Sequence, residues 1–342
     1  MINVAVIGAG YWGPNLIRNL ASLEGANLVA ICDGNPARLK ALADLPNVDR
    51  MTDVDNLLSR RDIDAVFIAV PAEIHASLTR KCLQAGKHVY VEKPLATHLA
   101  DASLLCELAE RFGLVLMVGH LFLYESATTR LIEEIRKGTI GRLQYAQGLR
   151  MSMSGTARLD TNIIWDALIH DAYIQPELFG RNPDRVLAVG GSYLKPDIED
   201  VAFVTFDFGE GALFHCTVSW YALEKVRSLM VIGSKGMFSY NGLSPNPLVR
   251  YNRGYIQSNE FDPEGRPYWR WIEGQGEVIH ITPIEPLREE CLHFLACVAS
   301  GSRPRTDGWA GLRAVEIVEA CAASAKAGGI WQKIVNHGPR KK

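Results

Sequence analysis

An apolar run, Ile2-Asn3-Val4-Ala5-Val6-Ile7, leads straight into Gly8-Ala9-Gly10-Tyr11-Trp12-Gly13, and Pro14 opens a helix-period pattern behind it. A strand, a glycine-rich turn and a helix in that order constrain the fold strongly. Gly8 permits the tight turn, Gly10 lets main-chain N–H groups approach an anion, and Gly13 lets the helix pack against the strand. Asp33 ends the next apolar run, about twenty positions further on, where such a motif places its ribose-binding carboxylate. These features predict a dinucleotide site with NAD favoured over NADP, because a 2′-phosphate would meet the Asp33 carboxylate. Arg38 is the residue that could instead reach such a phosphate, although alone it reads as a solvated helix-face charge.

The pattern of the first 120 residues supports that fold. Strands are predicted at 2–7, 28–32, 65–69, 88–91 and 114–118, all Val, Ile and Ala-rich without polar alternation, as in strands buried on both faces. Helical patterns lie between them near 14–22, 36–43, 53–59, 73–85 and 98–111, with Pro36 in a first turn and Asp53 or Thr97 as N-caps. Alternation of this kind predicts a doubly wound α/β Rossmann domain over 1–119. Beyond it, helices near 125–137 and 164–179 each stop at a glycine, and a strand is expected around 143–150. The segment 201–220 reads as a hairpin turning at Gly209-Glu210-Gly211, 242–275 as a loop excursion, and 286–299 and 308–326 as closing helices. An α+β second domain on a mainly antiparallel sheet, spanning 120–342, follows.

Composition excludes other classes. The chain of 342 residues carries 36 Lys plus Arg against 38 Asp plus Glu, a balance with no electrostatic pull toward nucleic acid or an anionic membrane. No apolar run approaches a membrane span of about 18–20 residues, and no signal-peptide pattern opens the chain, so a cytoplasmic protein is expected. Seven cysteines without a Cys-x-x-Cys spacing predict buried thiols in a reducing compartment.

Two further groups carry chemistry. Val89-Tyr90-Val91-Glu92-Lys93-Pro94 ends a strand at the carboxyl edge of the predicted sheet, where ligands of such folds bind. Pro94 stiffens the segment, and a lysine beside a cationic ring is suited to exchange protons with a hydroxyl. Taken alone, Lys93 reads better as a surface lysine at a strand end. Asp166 and His170 are four apart in a helical pattern, so they share a face, and a carboxylate beside an imidazole makes an acid/base pair. Two such groups are too few for a metal site, and none is expected.

The combination Gly8-x-Gly10-x-x-Gly13, Glu92-Lys93-Pro94 and Asp166-x-x-x-His170 resembles the glucose–fructose oxidoreductase/inositol dehydrogenase/MocA-like (Gfo/Idh/MocA) oxidoreductases. Pro71-x-x-x-His75, Gly86-Lys87-His88-Val89, Gly119-His120 and Pro286-Leu287-Arg288-Glu289-Glu290 extend the resemblance over nearly the whole chain. Tyr11 to Leu16 and the Trp165–Asp171 segment look most like the sugar-nucleotide dehydrogenase branch. The resemblance implies that Lys93 transfers the proton and that Asp166 and His170 complete a triad with it. It implies that Gly8, Gly10, Tyr11, Trp12, Gly13, Asp33, Arg38, Val70, Pro71, His75, Glu92 and Lys93 contact NAD. It also implies that Tyr124, Arg150, Arg158 and Asn162, with Lys93 and His170, contact the sugar. The family pattern further implies a homodimer or homotetramer formed through the second-domain sheet. Leu121, Leu123 and Ala167 depart from the residues many relatives carry.

The expected activity is a dehydrogenase moving hydride between nicotinamide and a secondary alcohol of a sugar, nucleotide-linked in the leading reading. An inositol, polyol or free-sugar dehydrogenase, a hydrolase that retains its dinucleotide, and a silent dinucleotide-binding regulator stay open.

Overall fold

The computed structural model describes residues 1–42, 45–153, 161–252, 254–272 and 275–338. The chain divides into two compact units. The first comprises 1–124, 284–319 and 336–342, and the second 125–283 and 320–335.

Unit one is built on β1 (Ile2–Ile7), α1 (Gly13–Ser22), β2 (Ala26–Cys32), α2 (Pro36–Ala41), β3 (Asp49–Met51), α3 (Val54–Leu58), β4 (Ala65–Ile68), α4 (His75–Gln84), β5 (His88–Glu92), α5 (Leu99–Phe112) and β6 (Leu116–Gly119). The six strands are parallel in the order β3-β2-β1-β4-β5-β6. The order reverses beside β1, so the carboxyl ends of β1 and β4 flank the crevice where a doubly wound sheet takes its ligand. Val4, Ala5, Val6, Val66, Phe67, Val89 and Val91 have no exposure at all, as expected for strands covered on both faces. The short edge strand β3 was not legible as a strand. The N-caps follow the sequence reading at Asp53, which accepts from the Asn56 N–H, but α5 starts after His98 rather than Thr97.

Unit two contains α6 (Ser126–Arg136), β7 (Leu143–Met153), a π-helical turn (Ile164–Leu168) running into α7 (Ile169–Phe179), β8 (Arg185–Gly191), β9 (Val201–Asp207), β10 (Leu213–Ser219), β11 (Tyr221–Gly233), β12 (Gly236–Asn241), β13 (Leu248–Tyr251), β14 (Gly254–Phe261), β15 (Pro267–Ile272), β16 (Gly276–Val278) and β17 (Gln332–Lys333). Its main sheet has the order β16-β13-β12-β11-β7-β10-β9-β8-β17 and is antiparallel apart from the β7–β10 pair. The β9–β10 hairpin turns where expected, with Leu213 opposite Asp207. The expected excursion at 242–275 is a correction: it holds β13 and a separate hairpin, β14–β15. Pro, Gly and Asn mask strand propensity when they punctuate short runs.

The grouping of the closing helices differs from the sequence reading. Helix α8 (Pro286–Ser300) and the first part of α9 (Gly308–Lys326) belong to unit one, although the sequence reading assigned everything past 119 to the second domain. Phe294 of α8 is fully buried with its ring edge-on to Phe67 of β4 at 5.0 Å. Gly311 of α9 leaves space for Val118 and Leu95, where a Cβ would come within 2.5 Å of Val118. Long-range packing of this kind has no local signature. All seven cysteines are buried free thiols, and among the described residues no helix is long and apolar enough to cross a membrane.

Candidate active site

The glycine turn of unit one has a division of labour that the contacts make visible. Gly8 takes φ +103°, and a Cβ there would stand 2.1 Å from the Ala69 carbonyl oxygen; one on Gly13 would stand 2.0 Å from that of Gly8. Those two glycines are needed by the fold itself. At Gly10 a Cβ would meet nothing nearer than Arg38 Nη1 at 3.8 Å, so that absent side chain leaves open room over the turn. An open approach to main-chain N–H groups at a helix start suits a pyrophosphate.

Asp33, 7% exposed, is fixed by two main-chain donors: Ala9 N–H to Oδ2 at 2.7 Å and Asn35 N–H to Oδ1 at 2.8 Å. Its carboxylate ties the glycine turn to the end of β2. Arg38 stands 3.5 Å from Asp33 Oδ2 with its side chain half in solvent. The two residues expected to decide the ribose pocket therefore form one ion pair beside Gly10.

At the carboxyl end of β5, Lys93 is half-buried and the Lys93–Pro94 peptide is cis. His75 is 1% exposed, with Nδ1 2.6 Å from the Pro94 carbonyl oxygen and Nε2 2.9 Å from that of Val70. A neutral imidazole donates to one of these two carbonyls, so His75 ties the end of β4 to the segment after β5. Glu92 is half-buried, and desolvation pushes its carboxyl up to about 7 against the opposing pull of Lys93, Trp12 and Tyr90. Tyr11 is 92% exposed beside the glycine turn, and Val70 and Pro71 follow β4. Tyr124 is buried with its hydroxyl 3.3 Å from Thr306 Oγ1 and its ring against His293. The structure thus places it in the interior of unit one.

In unit two, Asn162 uses both ends of its amide to start the helix: Oδ1 accepts from the Trp165 N–H at 3.2 Å and Nδ2 donates to Glu199 at 2.7 Å. The sequence reading put it in contact with the sugar, and the geometry gives it a capping position. The π turn carries Asp166, and α7 carries His170; single π turns of this kind recur at functional sites. His170 Nδ1 lies 2.8 Å from the hydroxyl of Tyr173, and the two rings meet edge-on. Tyr173 is the site residue that sequence reasoning missed. Its spacing, three beyond His170, was the available signal.

Arg150 of β7 donates from Nε to Asp171 Oδ2 at 3.3 Å. Arg227 of β11 stands directly across the sheet from Arg150, so the two share a face. Burial, then the Arg150 charge, pushes the Arg227 guanidinium below its ordinary range, with Tyr240, Glu125 and Tyr173 opposing. Gly148 lies on that same face of β7, where a Cβ would come 3.6 Å from Asp171 Oδ1, which sets α7 against the sheet. Arg158 lies outside the described residues.

Comparison with known proteins identifies the family of both domains. The family model described as "Oxidoreductase family, NAD-binding Rossmann fold" matches residues 2–120, and the "GFO/IDH/MocA C-terminal domain" matches 128–239. A D-apiose dehydrogenase of Paraburkholderia graminis is 30% identical over 95% of this chain and 88% of that protein. A 2,7-anhydro-N-acetylneuraminate hydratase of Mediterraneibacter gnavus is 24% identical over 94% of each. The solved structure of a UDP-N-acetylglucosamine 3-dehydrogenase from Acidithiobacillus ferrooxidans superposes with a TM-score of 0.81 at 25% identity, covering 95% of this chain and 98% of that one. With the glycine turn, the Lys93–Pro94 segment and both matched domains in place, the chain belongs to the Gfo/Idh/MocA family of NAD-binding sugar oxidoreductases.

Proposed function

We propose that this protein is an NAD-dependent dehydrogenase acting on a secondary alcohol of a nucleotide-linked sugar. The observation that carries the cofactor assignment is the Asp33 carboxylate, held at the end of β2 by two N–H donors next to the open face of Gly10. A ribose diol can donate to that carboxylate, whereas a 2′-phosphate there would be repelled by it. Arg38, 3.5 Å from Asp33 Oδ2, offsets part of that repulsion, so the preference rests on the carboxylate itself.

When bound, the nicotinamide accepts the hydride from the sugar carbon. The residues of the chain supply the rest. Lys93, on a segment stiffened by Pro94, takes the hydroxyl proton or, in the reverse direction, returns it. His170 serves as the second proton-handling group, with Asp166 in the preceding π turn and the Tyr173 hydroxyl fixing its ring. Gly8, Gly10 and Gly13, with Tyr11 and Trp12, form the pyrophosphate turn, and Asp33 takes the ribose.

The paired Arg150 and Arg227 on one face of the unit-two sheet, and the likeness to a UDP-N-acetylglucosamine 3-dehydrogenase, support a substrate with a diphosphate. Turnover with UDP-sugars, followed as NADH absorbance, tests this: activity that UDP inhibits competitively supports it, and activity on free sugars unaffected by UDP refutes it. The likeness to D-apiose dehydrogenase favours that second outcome, a free-sugar dehydrogenase, as the alternative.

We infer a partner of the same sequence. Tyr145, Phe203, Leu213 and Met230 are 38–50% exposed and lie on one face of the main sheet, opposite the face that carries Arg150. These apolar side chains, set among Gln147, Thr205, His215 and Thr217 on the same face, fit a mixed interface with a second copy. Light scattering that returns a monomer mass at micromolar concentration would refute it.

A further inference from the structure

Helix α8 and strand β5 of unit one meet at a single phenol. Glu290 and Phe294 lie four apart on α8, so they share a face. Phe294 packs on the Tyr90 ring at 6.0 Å between centroids and Phe67 at 5.1 Å, and the ring has no exposure. The fixed ring sets its hydroxyl between two carboxyl groups, 2.9 Å from Glu290 Oε2 and 3.3 Å from Glu92 Oε1. Gly119, paired with Glu92 across β5 and β6, keeps the room. A Cβ there would stand 2.7 Å from the Tyr90 hydroxyl and 3.0 Å from Glu92 Oε2.

A hydroxyl carries one hydrogen and cannot donate to both carboxyl groups, so one of them donates to the hydroxyl oxygen. Glu290 has no exposure, and among the described residues the groups facing it are neutral or anionic: the Tyr90 hydroxyl, the main-chain N–H of His120 and Glu92. A carboxylate there would be a buried charge with no cation facing it, which is expensive. Glu92 is half-buried and faces the Lys93 ammonium and the Trp12 indole N–H, both of which suit a carboxylate. The proton therefore belongs to Glu290, which donates to Tyr90, and the Tyr90 hydrogen is aimed at Glu92.

The sheet order says which part of a ligand this reaches. Asp33 follows β2 on one side of the glycine turn, and Glu92 ends β5 on the other. A dinucleotide with its adenosine ribose on Asp33 and its pyrophosphate on the turn runs its nicotinamide half toward β4 and β5. We propose that Tyr90 and Glu290 are positioning residues for that half: Glu290, as a neutral acid, turns the Tyr90 hydroxyl toward Glu92 and so fixes the Glu92 carboxylate beside Lys93. The proposal rests on the reading that unit one binds a nicotinamide dinucleotide. Tyr90 and Glu290 are wholly buried and act only through Glu92.

Titrations with NAD and with ADP-ribose, which lacks the nicotinamide, separate this role from a structural one. They are run on the full chain at about pH 8, above the range in which Glu92 titrates. Tyr90→Phe keeps the ring packing and removes the hydroxyl. It is expected to bind NAD about tenfold more weakly, with ADP-ribose within about twofold of the unaltered protein. Glu290→Gln replaces the acid with an amide donor and should leave both affinities within about twofold. Infrared difference spectra between the unaltered protein and Glu290→Gln should show a protonated-carboxyl band that the variant lacks. An unchanged NAD affinity in Tyr90→Phe, NAD and ADP-ribose weakened alike, or the absence of that band would each overturn the proposal while leaving the functional reading in place. If the unaltered protein binds neither ligand, the functional reading itself fails and the proposal with it.

Discussion

The Nδ1 atom of His170 and the hydroxyl of Tyr173 lie 2.8 Å apart, one turn along the same helix. This contact fixes which edge of the imidazole faces outward, because the nitrogen engaged with the phenol is unavailable to substrate. Tyr173 is 5% exposed, so the phenol is held by packing as well.

Replacing Tyr173 with Phe keeps the ring and removes only the hydroxyl. The expected result is a kcat lowered by about tenfold, equivalent to ~1.4 kcal/mol, with the dissociation constant for the dinucleotide within about twofold. Steady-state kinetics together with a binding titration measure both. An unchanged kcat would remove Tyr173 from the account.

Gly10 separates binding from folding. Since a Cβ there meets only Arg38 at 3.8 Å, Gly10→Ala should melt within a few degrees of the unaltered protein, yet bind NAD at least about a hundredfold more weakly, a cost of ~2.7 kcal/mol. Gly8→Ala, with its Cβ 2.1 Å from the Ala69 oxygen at φ +103°, should lose stability outright. Calorimetric melting and titration of the two variants check the contrast.

Acid stability should depend on His120. Burial pushes its imidazole down to about 3, whereas an unfolded histidine titrates near about 6.5. The unfolded chain binds the extra proton between those values, so the stability tied to a neutral His120 is present above about pH 6.5 and lost as the pH falls toward 3. Glu92 works the other way, its raised carboxyl losing stability as the pH rises through about 7. Urea unfolding of the unaltered protein and His120→Gln at pH 4.5, 5.5 and 6.5 isolates the histidine. The gap between them should narrow or reverse toward acid by up to about 1.4 kcal/mol per pH unit; parallel curves would contradict it.

The parts of this site legible in the sequence are those whose chemistry is local. The turn of Gly8, Gly10 and Gly13 with Asp33 beside it follows from a strand, a turn and a helix in succession, and helical periodicity places Asp166 and His170 on one helical stretch. The parts that were not legible depend on distant segments. Nothing near Tyr90 announces Glu290, two hundred positions on, because α8 returns to unit one. His75 and Asn162 were read as ligand contacts since polar residues at strand ends and helix starts serve either purpose; their contacts with Val70, Pro94, Trp165 and Glu199 add a bracing and a capping role that the sequence did not show. The π turn at Ile164–Leu168 has no sequence signature that separates it from an α-helix.

The central claim is that unit one is a working NAD site. It is tested most directly by thermal melting with NAD, NADH, NADP and NADPH, on protein whose absorbance shows no carried-over cofactor. A ligand at a hundred times its dissociation constant adds about 2.7 kcal/mol to the folded state. The account predicts a clear rise in melting temperature with NAD and NADH, and a smaller one with NADP and NADPH. No rise with any of the four would contradict it.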